Sequence, residues 1–488
     1  MVADDMPKSE LGSYGAAGEL TPRLDALARD AVRFDAAHSP SPLCTPARYS
    51  LLTGRHAGCA FGPSTRRVRQ LSLNGTMREL PELANIEFNV NLPALATKPA
   101  HATVAQLLAQ HGIPSGLVGK WHLGYPPSTV NSSERTFVQS ARMPRQWNAV
   151  KPLVLREYKS LQAHVRAAGF AFVERLYVNN LYPEQHVLPA EMLRHNVEWI
   201  AEGASKFVES HRGAPYFLYV GWTLPHNPDV GESIDADVRY TPGGMWAANR
   251  SLVRAQRDAV KRRTAGLPDT PRMGHAHYPL ALAWLDAGVG LVLDALERNA
   301  LVAFTADHHS YDKRHCYTHG SQVPLILRWP DHVPPRAAAV AALASHLDLL
   351  PTILDAANVP PSLRALAGGA AVPPLPGASL APLLLGGQDS LHAHLFCEIG
   401  QSRAVFTERA RLLYAPQIKP LAKGGSTDTR NNYQAHRHHP AYWRPLQLYD
   451  LAADADEQVN LANDSARAPL LAEMRALLRA RMEGDACA

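Results

Sequence analysis

Short apolar runs set against amphipathic stretches constrain this chain more than any other feature. Gly116-Leu117-Val118-Gly119, Tyr216-Phe217-Leu218-Tyr219-Val220, Leu301-Val302-Ala303-Phe304-Thr305 and Val323-Pro324-Leu325-Ile326-Leu327 read as short buried strands. Helical spacing fills the intervals. Residues 20–33 carry it in Leu20, Leu24, Leu27, Ala28 and Val32 behind the start signal Thr21-Pro22. Residues 103–111, stopped by Gly112, and residues 192–210 and 279–298 carry it too. Strands without a polar face, alternating with helices, predict an α/β fold with a large, mainly parallel sheet sandwiched by helices.

The pattern changes after about residue 360. Residues 359–386 are rich in Pro, Gly and Ala and read as a long connection. Leu395-Phe396-Cys397, Ala404–Thr407, Arg411–Tyr414 and Leu446–Tyr449 then predict a smaller antiparallel sheet. A terminal helix (Leu470, Leu471, Met474, Leu477, Leu478) packs on it. The expected units are therefore residues 1–360 and 361–488. Residues 226–277, polar with Pro and Gly, read as an irregular excursion and a candidate lid.

Composition closes off other classes. The chain has 488 residues, 46% hydrophobic, which excludes disorder, and its 32 glycines exclude a collagen repeat. A net charge of +5 over this length predicts no nucleic-acid partner. Met1-Val2-Ala3-Asp4-Asp5 has no basic or apolar leader region, so no signal peptide is visible. No stretch reaches the ~18 uninterrupted apolar residues of a membrane span. The nearest, Ala337–Leu350, is broken by Ser345, His346 and Asp348. Sequons at Asn74, Asn131, Asn249 and Asn463 matter only in a secretory compartment. Five cysteines (Cys44, Cys59, Cys316, Cys397 and Cys487) are too few and odd in number for a disulfide framework, and they leave one special thiol.

That thiol stands in Ser41-Pro42-Leu43-Cys44-Thr45-Pro46-Ala47-Arg48-Tyr49-Ser50-Leu51-Leu52-Thr53-Gly54-Arg55. Thr45 suits an N-cap, Pro46 the first helical position and Gly54 the residue past the end. Cys44 thus sits at a helix N-terminus, where free N–H groups favour an anion. Read alone, this is a buried cysteine before an ordinary helix.

The longer pattern changes the reading. Cys-x-Pro-x-Arg followed by Leu-Leu-Thr-Gly resembles the signature of the type I sulfatases, members of the alkaline phosphatase-like superfamily. Gly112–Gly124, with Gly119-Lys120-Trp121-His122, resembles the family's second signature, and Phe304-Thr305-Ala306-Asp307-His308 its strand-end metal motif. Pro225-His226-Asn227-Pro228, Lys313-x-x-x-Tyr317 before Val323-Pro324, and Leu448-Tyr449-Asp450-Leu451 with Glu457 and Asn460-Leu461 are similar to further landmarks. The shared order spans nearly the whole chain.

The resemblance implies hydrolysis of a sulfate ester by a Cα-formylglycine made from Cys44, through a covalent sulfo-enzyme that the second hydroxyl of the hydrate resolves. It implies Arg48, Lys120, His122, His226 and Lys313 as catalytic residues, with Arg48 steadying the formylglycine and His226 or Lys313 as general acid. It implies a divalent metal held by Asp4, Asp5, Asp307 and His308 beside residue 44, Ca²⁺ ahead of Mg²⁺ or Mn²⁺. A histidine where an amide oxygen is usual leaves the ion open. The implied partners are a sulfated small molecule or glycan and, during maturation, a formylglycine-generating enzyme. The implied location is secretory, lysosomal, periplasmic or extracellular.

The residue types fit that chemistry. Cleaving a sulfate ester needs a nucleophile, charge neutralisation and a proton donor. Carboxylates after parallel strands lie where α/β folds build sites. Read alone, Asp4-Asp5 is a solvated terminus, and Lys120 and His122 a surface lysine and a packed histidine. Only Met1-Val2-Ala3 precedes the Asp pair where the family has a full central strand, so a truncated start is expected. Thr318 and Gln322 replace a usual Glu and Arg, and His309 a usual Gly, where backbone freedom helps the turn. Rival readings are a formylglycine hydrolase of phosphodiesters or phosphonate monoesters, and a non-catalytic anion- or glycan-binding relative. Arg66-Arg67-x-Arg69, Lys261-Arg262-Arg263 and His436-Arg437-His438-His439 read as solvated surface, the last near the site rim and not a metal site.

Overall fold

The computed structural model describes residues 1–16, 19–60, 67–71, 77–81, 90–268, 276–333, 338–366, 368–400, 402–415 and 435–483. Arg66, Asn74 and Cys487 lie outside the described residues. An eight-stranded sheet runs in the order Ala338–Ser345, Val32–His38, Leu325–Arg328, Val302–Ala306, Val2–Ala3, Phe217–Gly221, Ser115–Lys120, Phe172–Tyr177. All neighbours are parallel except at Leu325–Arg328, which is antiparallel to both of its neighbours. The expected mainly parallel sheet is therefore present. Its inner strands are buried on both faces (Ser115–Lys120 throughout), which is why they read as continuous apolar runs.

Val2–Ala3 is short but central. Val2 pairs with Thr305 on one side and Gly221 on the other, and Ala3 pairs with Ala306. The amides of Trp222 and Asp307 donate to the carbonyls of Val2 and Ala3 at 2.9 and 3.0 Å, and Asp4 N–H donates to Leu224 O at 2.9 Å. This ladder delivers Asp4 and Asp5 to the same sheet end as Asp307.

Two groups of helices flank the sheet. Tyr278–Ala295 packs on Val197–Ser210, Arg250–Thr264 and Pro22–Arg29; Cys44–Thr53 packs on Leu349–Ala356 and Val104–Ala109. Tyr278–Ala295 is long and apolar enough to cross a membrane, but most of it is buried in the protein. Its buried Asp286 accepts the amides of Arg23 and Leu24 at 3.0 and 2.9 Å, capping the helix they begin.

Several expectations need correction. The predicted helix 20–33 ends at Arg29, because Val32 belongs to the strand Val32–His38. The expected irregular excursion 226–277 is more ordered than that over its described residues, which hold the helices Gly231–Ile234 and Arg250–Thr264 and a small hairpin; residues 269–275 lie outside the described residues. In the longer helix Val253, Arg257 and Val260 are buried at helical spacing. Lys261 pairs with Asp235 and Arg263 with the buried Asp286, but Arg262 and Arg263 are exposed, as a surface cluster should be. Arg437 and His438 are exposed too, but Ala435–His438 is a short helix and not a loop, and His439 is buried against Asp312. Cys59, read as an ordinary residue, is disulfide-bonded, whereas Cys44, Cys316 and Cys397 are free.

The second sheet is antiparallel throughout, in the order Leu395–Ile399, Ser402–Phe406, Ala410–Tyr414, Leu446–Asp450. The helix Ala468–Glu483 covers it with Met474 and Leu478.

One glycine pair sets how closely the strands meet beside the site. Gly119 lies opposite Gly221 with φ of 86°, and a Cβ on it would fall 1.9 Å from the Gly221 carbonyl oxygen. Gly119→Ala should cost at least ~3 kcal/mol, through backbone strain and displacement of Gly221. Denaturant unfolding measures this; a loss under ~1 kcal/mol would remove the close approach as a constraint.

Candidate active site

Four adjacent parallel strands deliver the site at their C-terminal ends. Asp4 and Asp5 follow Val2–Ala3, Asp307 and His308 follow Val302–Ala306, Lys120 ends Ser115–Lys120, and His226 comes five residues after Phe217–Gly221. The helix Cys44–Thr53 adds Cys44 and Arg48; it starts at Cys44, two residues before the expected first position Pro46, and is followed by Gly54 with φ of 63°. Asp5 and His122 hold positive φ (64° and 58°), a conformation a short Asp side chain tolerates and one that clusters at functional sites.

Arg48 is fully buried and ties the carboxylates together. Its Nε donates to Asp307 Oδ2 at 3.1 Å, and one terminal nitrogen lies 3.0 Å from Asp307 Oδ2 and 3.4 Å from Asp4 Oδ1. The other donates to the Lys120 carbonyl and to Tyr219 Oη at 3.3 and 3.4 Å. Lys120 Nζ donates to Asp4 Oδ2 and Asn180 Oδ1, both at 2.5 Å. Lys313 Nζ grips both oxygens of Asp5, at 2.9 and 2.7 Å.

Cys44 Sγ lies 3.8 Å from Asp5 Oδ1 and 3.2 Å from His308 Nε2. His308 Nε2 is also 2.9 Å from Asp5 Oδ1. Its Nδ1 lies 2.9 Å from the His309 carbonyl, which can only accept, so Nδ1 carries a proton and Nε2 faces the carboxylates. A metal-ligating histidine is oriented this way. His309 is not among the positive-φ residues, so the turn here does not need the usual glycine.

The ionisation pattern follows from burial and these contacts. Burial alone would raise the Asp4 and Asp5 carboxyls. Lys120, His226 and Arg48 instead hold Asp4 far below the usual range, and Lys313, His226 and His308 do so for Asp5. Asp307 goes the other way: burial, with Asp4 and Asp5 beside it, outweighs His308 and Arg48 and raises it. Burial opposes charge on His308, yet Asp307 and Asp5 lift its pKa well above the ordinary value. His122 is pushed well below it by burial and by Lys120 and Arg48. His226 falls to about 4 through burial and Lys313.

The structure thus brings Asp4, Asp5, Cys44, Arg48, Lys120, His226, Asp307, His308 and Lys313 into one buried cluster. His122 stands beside it, with a buried Nδ1 that has no hydrogen-bond partner among the described residues. Sequence reasoning missed Asn180 and Tyr219. Asn180 follows a strand the apolar pattern did not reveal, and Tyr219 was read only as a strand residue. Three carboxylate oxygens, one each from Asp4, Asp5 and Asp307, lie within 4.8 Å of one another, as do ligand atoms of Cys44, Asp307 and His308.

Comparison with known proteins shows the family and the fold of the chain. A family model described as Sulfatase matches residues 1–359. Arylsulfatase A of Bos taurus is 28% identical over 491 residues, covering 94% of this chain and 82% of the relative. Steryl-sulfatase of Rattus norvegicus is 25% identical over 520 residues, covering 94% and 83%. The solved structure of Ps i-CgsB in complex with k-i-k-neocarrahexaose shares the fold with a TM-score of 0.58 at 19% identity, covering 97% of this chain and 89% of that one.

Two outcomes follow from the geometry. Arg48→Ala strands Asp4 and Asp307 in the interior and should cost ~3–5 kcal/mol in denaturant unfolding at neutral pH; a loss below ~1 kcal/mol would contradict the role of Arg48 as the tie. Buried His346, beside Thr305 Oγ1 at 3.1 Å, has its pKa lowered to about 3 by burial and by His308. Its unfolded value is ~6.5, so below that pH the unfolded chain binds the extra proton. Its contribution is complete above pH ~6.5 and is lost as pH falls toward about 3. His346→Gln should therefore reduce the slope of stability against pH by one proton between pH ~4 and ~6. An unchanged slope would show that His346 is not held neutral.

Proposed function

For this chain, which belongs to the sulfatase family and is a sulfuric ester hydrolase, we propose that residue 44 carries the reaction as Cα-formylglycine beside a divalent metal. The observation that supports this most is the position of Cys44 in the first turn of its helix. It is 2% exposed, within reach of Asp5 and His308 and close to Arg48, and Lys313 holds the same Asp5.

The residues fit a hard cation. Asp4, Asp5 and Asp307 converge, and buried Asp4 Oδ1 accepts no hydrogen bond. Oxygen donors suit Ca²⁺, Mg²⁺ or Mn²⁺; the family resemblance puts Ca²⁺ first, and His308 Nε2, a nitrogen beside them, leaves the ion open. When bound, the cation lowers the pKa of the nucleophilic hydroxyl and offsets the sulfate charge. As a formylglycine hydrate, residue 44 supplies one hydroxyl to displace the alcohol and a second to release sulfate.

The chain's own side chains do the rest. Arg48 holds Asp4 and Asp307 in register with the nucleophile helix. Lys120 and Lys313 supply positive charge to sulfate oxygens. His122 offers its buried ring to the substrate's sulfate. His226 Nδ1 lies 2.8 Å from the Asn227 carbonyl, so that nitrogen carries the proton and Nε2 points toward Asp5 Oδ2, 3.6 Å away. The Asn227 carbonyl holds the proton of a neutral His226 ring on Nδ1, which leaves Nε2 with no proton to give. Lys313, an ammonium, is therefore the general acid that protonates the leaving oxygen.

The substrate class is an O-sulfate ester of a small molecule or glycan, in line with relatives named for aryl and steryl groups and a neighbour bound to neocarrahexaose. Residues 1–360 form the catalytic unit and 361–488 a second unit that closes one side of it.

Coexpression with a formylglycine-generating enzyme, followed by mass spectrometry of the peptide bearing residue 44, should show loss of sulfur and gain of an aldehyde. An unmodified thiol in active protein would defeat the mechanism. The modified enzyme should cleave an aryl sulfate at least ~10²-fold faster than an aryl phosphodiester. It should lose activity to a chelator and regain it with Ca²⁺. A reversed preference would favour the phosphodiesterase reading.

A further inference from the structure

We propose that Asp312 and His439 are positioning residues for Lys313, and that the second sheet reaches the chemistry through this pair. The inference rests on Lys313 being the general acid.

Lys313 and its neighbour face opposite ways. Lys313 Nζ enters the site and holds Asp5. Asp312, fully buried, turns outward, with Oδ2 2.7 Å from His439 Nε2 and Oδ1 3.4 Å from His438 Nδ1. His439 is held in turn. Its Nδ1 lies 3.3 Å from the Glu457 carbonyl, and its ring stacks flat on Tyr317, centroids 3.6 Å apart at 8°.

The rest of the loop is fastened to the same region. Tyr317 Oη donates to Gln447 Oε1 at 2.8 Å, and Thr318 N–H donates to Glu457 Oε2 at 2.7 Å. Arg411 donates to the Cys316 carbonyl at 2.6 Å and pairs with Glu457 at 3.0 Å. On the other side, Arg314 N–H donates to the Pro42 carbonyl at 2.8 Å, just before the nucleophile helix. A Cβ on Gly320 would fall 2.0 Å from the His315 carbonyl oxygen, so the loop is also closely folded on itself. Packing alone would fasten such a loop anywhere along its length. Here a buried charged hydrogen bond is placed one residue from the proton donor, and a donor displaced by an ångström loses its alignment.

Proton donation sets the test. As the ester S–O bond breaks, Lys313 passes a proton from Nζ to the departing oxygen, leaving a neutral alcohol and a neutral amine that regains its proton from water. A good leaving group needs little of this help and a poor one needs much. His439→Ala should therefore lower kcat about 100-fold for phenyl sulfate but under ~5-fold for 4-nitrophenyl sulfate, with KM within ~3-fold for both. His439→Gln, which keeps an N–H for Asp312, should restore most of the phenyl sulfate rate. If His439→Ala fails to fold, Asp312→Asn should show the same leaving-group dependence. Equal losses on both substrates, or no rescue by Gln, would overturn the positioning role. Lys313→Met is the control: if it shows the dependence and the Asp312 and His439 variants do not, only this proposal fails. If Lys313→Met shows none, the assignment of Lys313 as general acid fails with it.

Discussion

Three carboxylates buried within contact of one another dominate this molecule. A buried carboxylate is tolerated only when opposite charge and hydrogen bonds replace the lost water. Asp4, Asp5 and Asp307 therefore require Arg48, Lys120 and Lys313, and each cation comes from a different part of the chain. The sheet order, the glycine pair that brings two strands close, and the helix that presents Arg48 all serve this neutralisation. The acidic cluster is what a metal and an anionic substrate both require, so the stability and the chemistry of the site make the same demand.

The arrangement is asymmetric in a useful way. Asp4 and Asp5 are held ionised by the lysines, whereas burial, with Asp4 and Asp5 beside it, pushes Asp307 up and His308 is drawn toward the charged state. A cation placed beside such a carboxyl would favour its ionised form. The neutral histidines His122 and His226 lie against the cations, where a charge on either ring would be repelled.

Much of this was legible in the chain. Strands buried on both faces wrote themselves as apolar runs, and the residues after them became the site. Phe172–Tyr177 was not legible because Glu174 and Arg175 break its apolar pattern, and with it went Asn180. Val32–His38 was hidden inside a helical periodicity that stops at Arg29. Arg250–Thr264 is so basic that its buried stripe of Val253, Arg257 and Val260 was lost among charges. His439 reads as surface because its partner Asp312 is 127 residues away, and only the fold brings the two together. The disulfide at Cys59 carried no local signal either.

The central strand also has a consequence in time. Asp5 N–H donates to Asp307 Oδ1 across 302 residues of sequence, and Val2–Ala3, which can meet Phe217–Gly221 earlier, finds its second neighbour only once residues 302–306 exist. At ~5–20 residues per second, a ribosome needs roughly 15–60 s to make that stretch. For that interval Asp4 and Asp5 lack the third carboxylate of their cluster. The acidic site therefore cannot close until its most distant member in sequence has been synthesised.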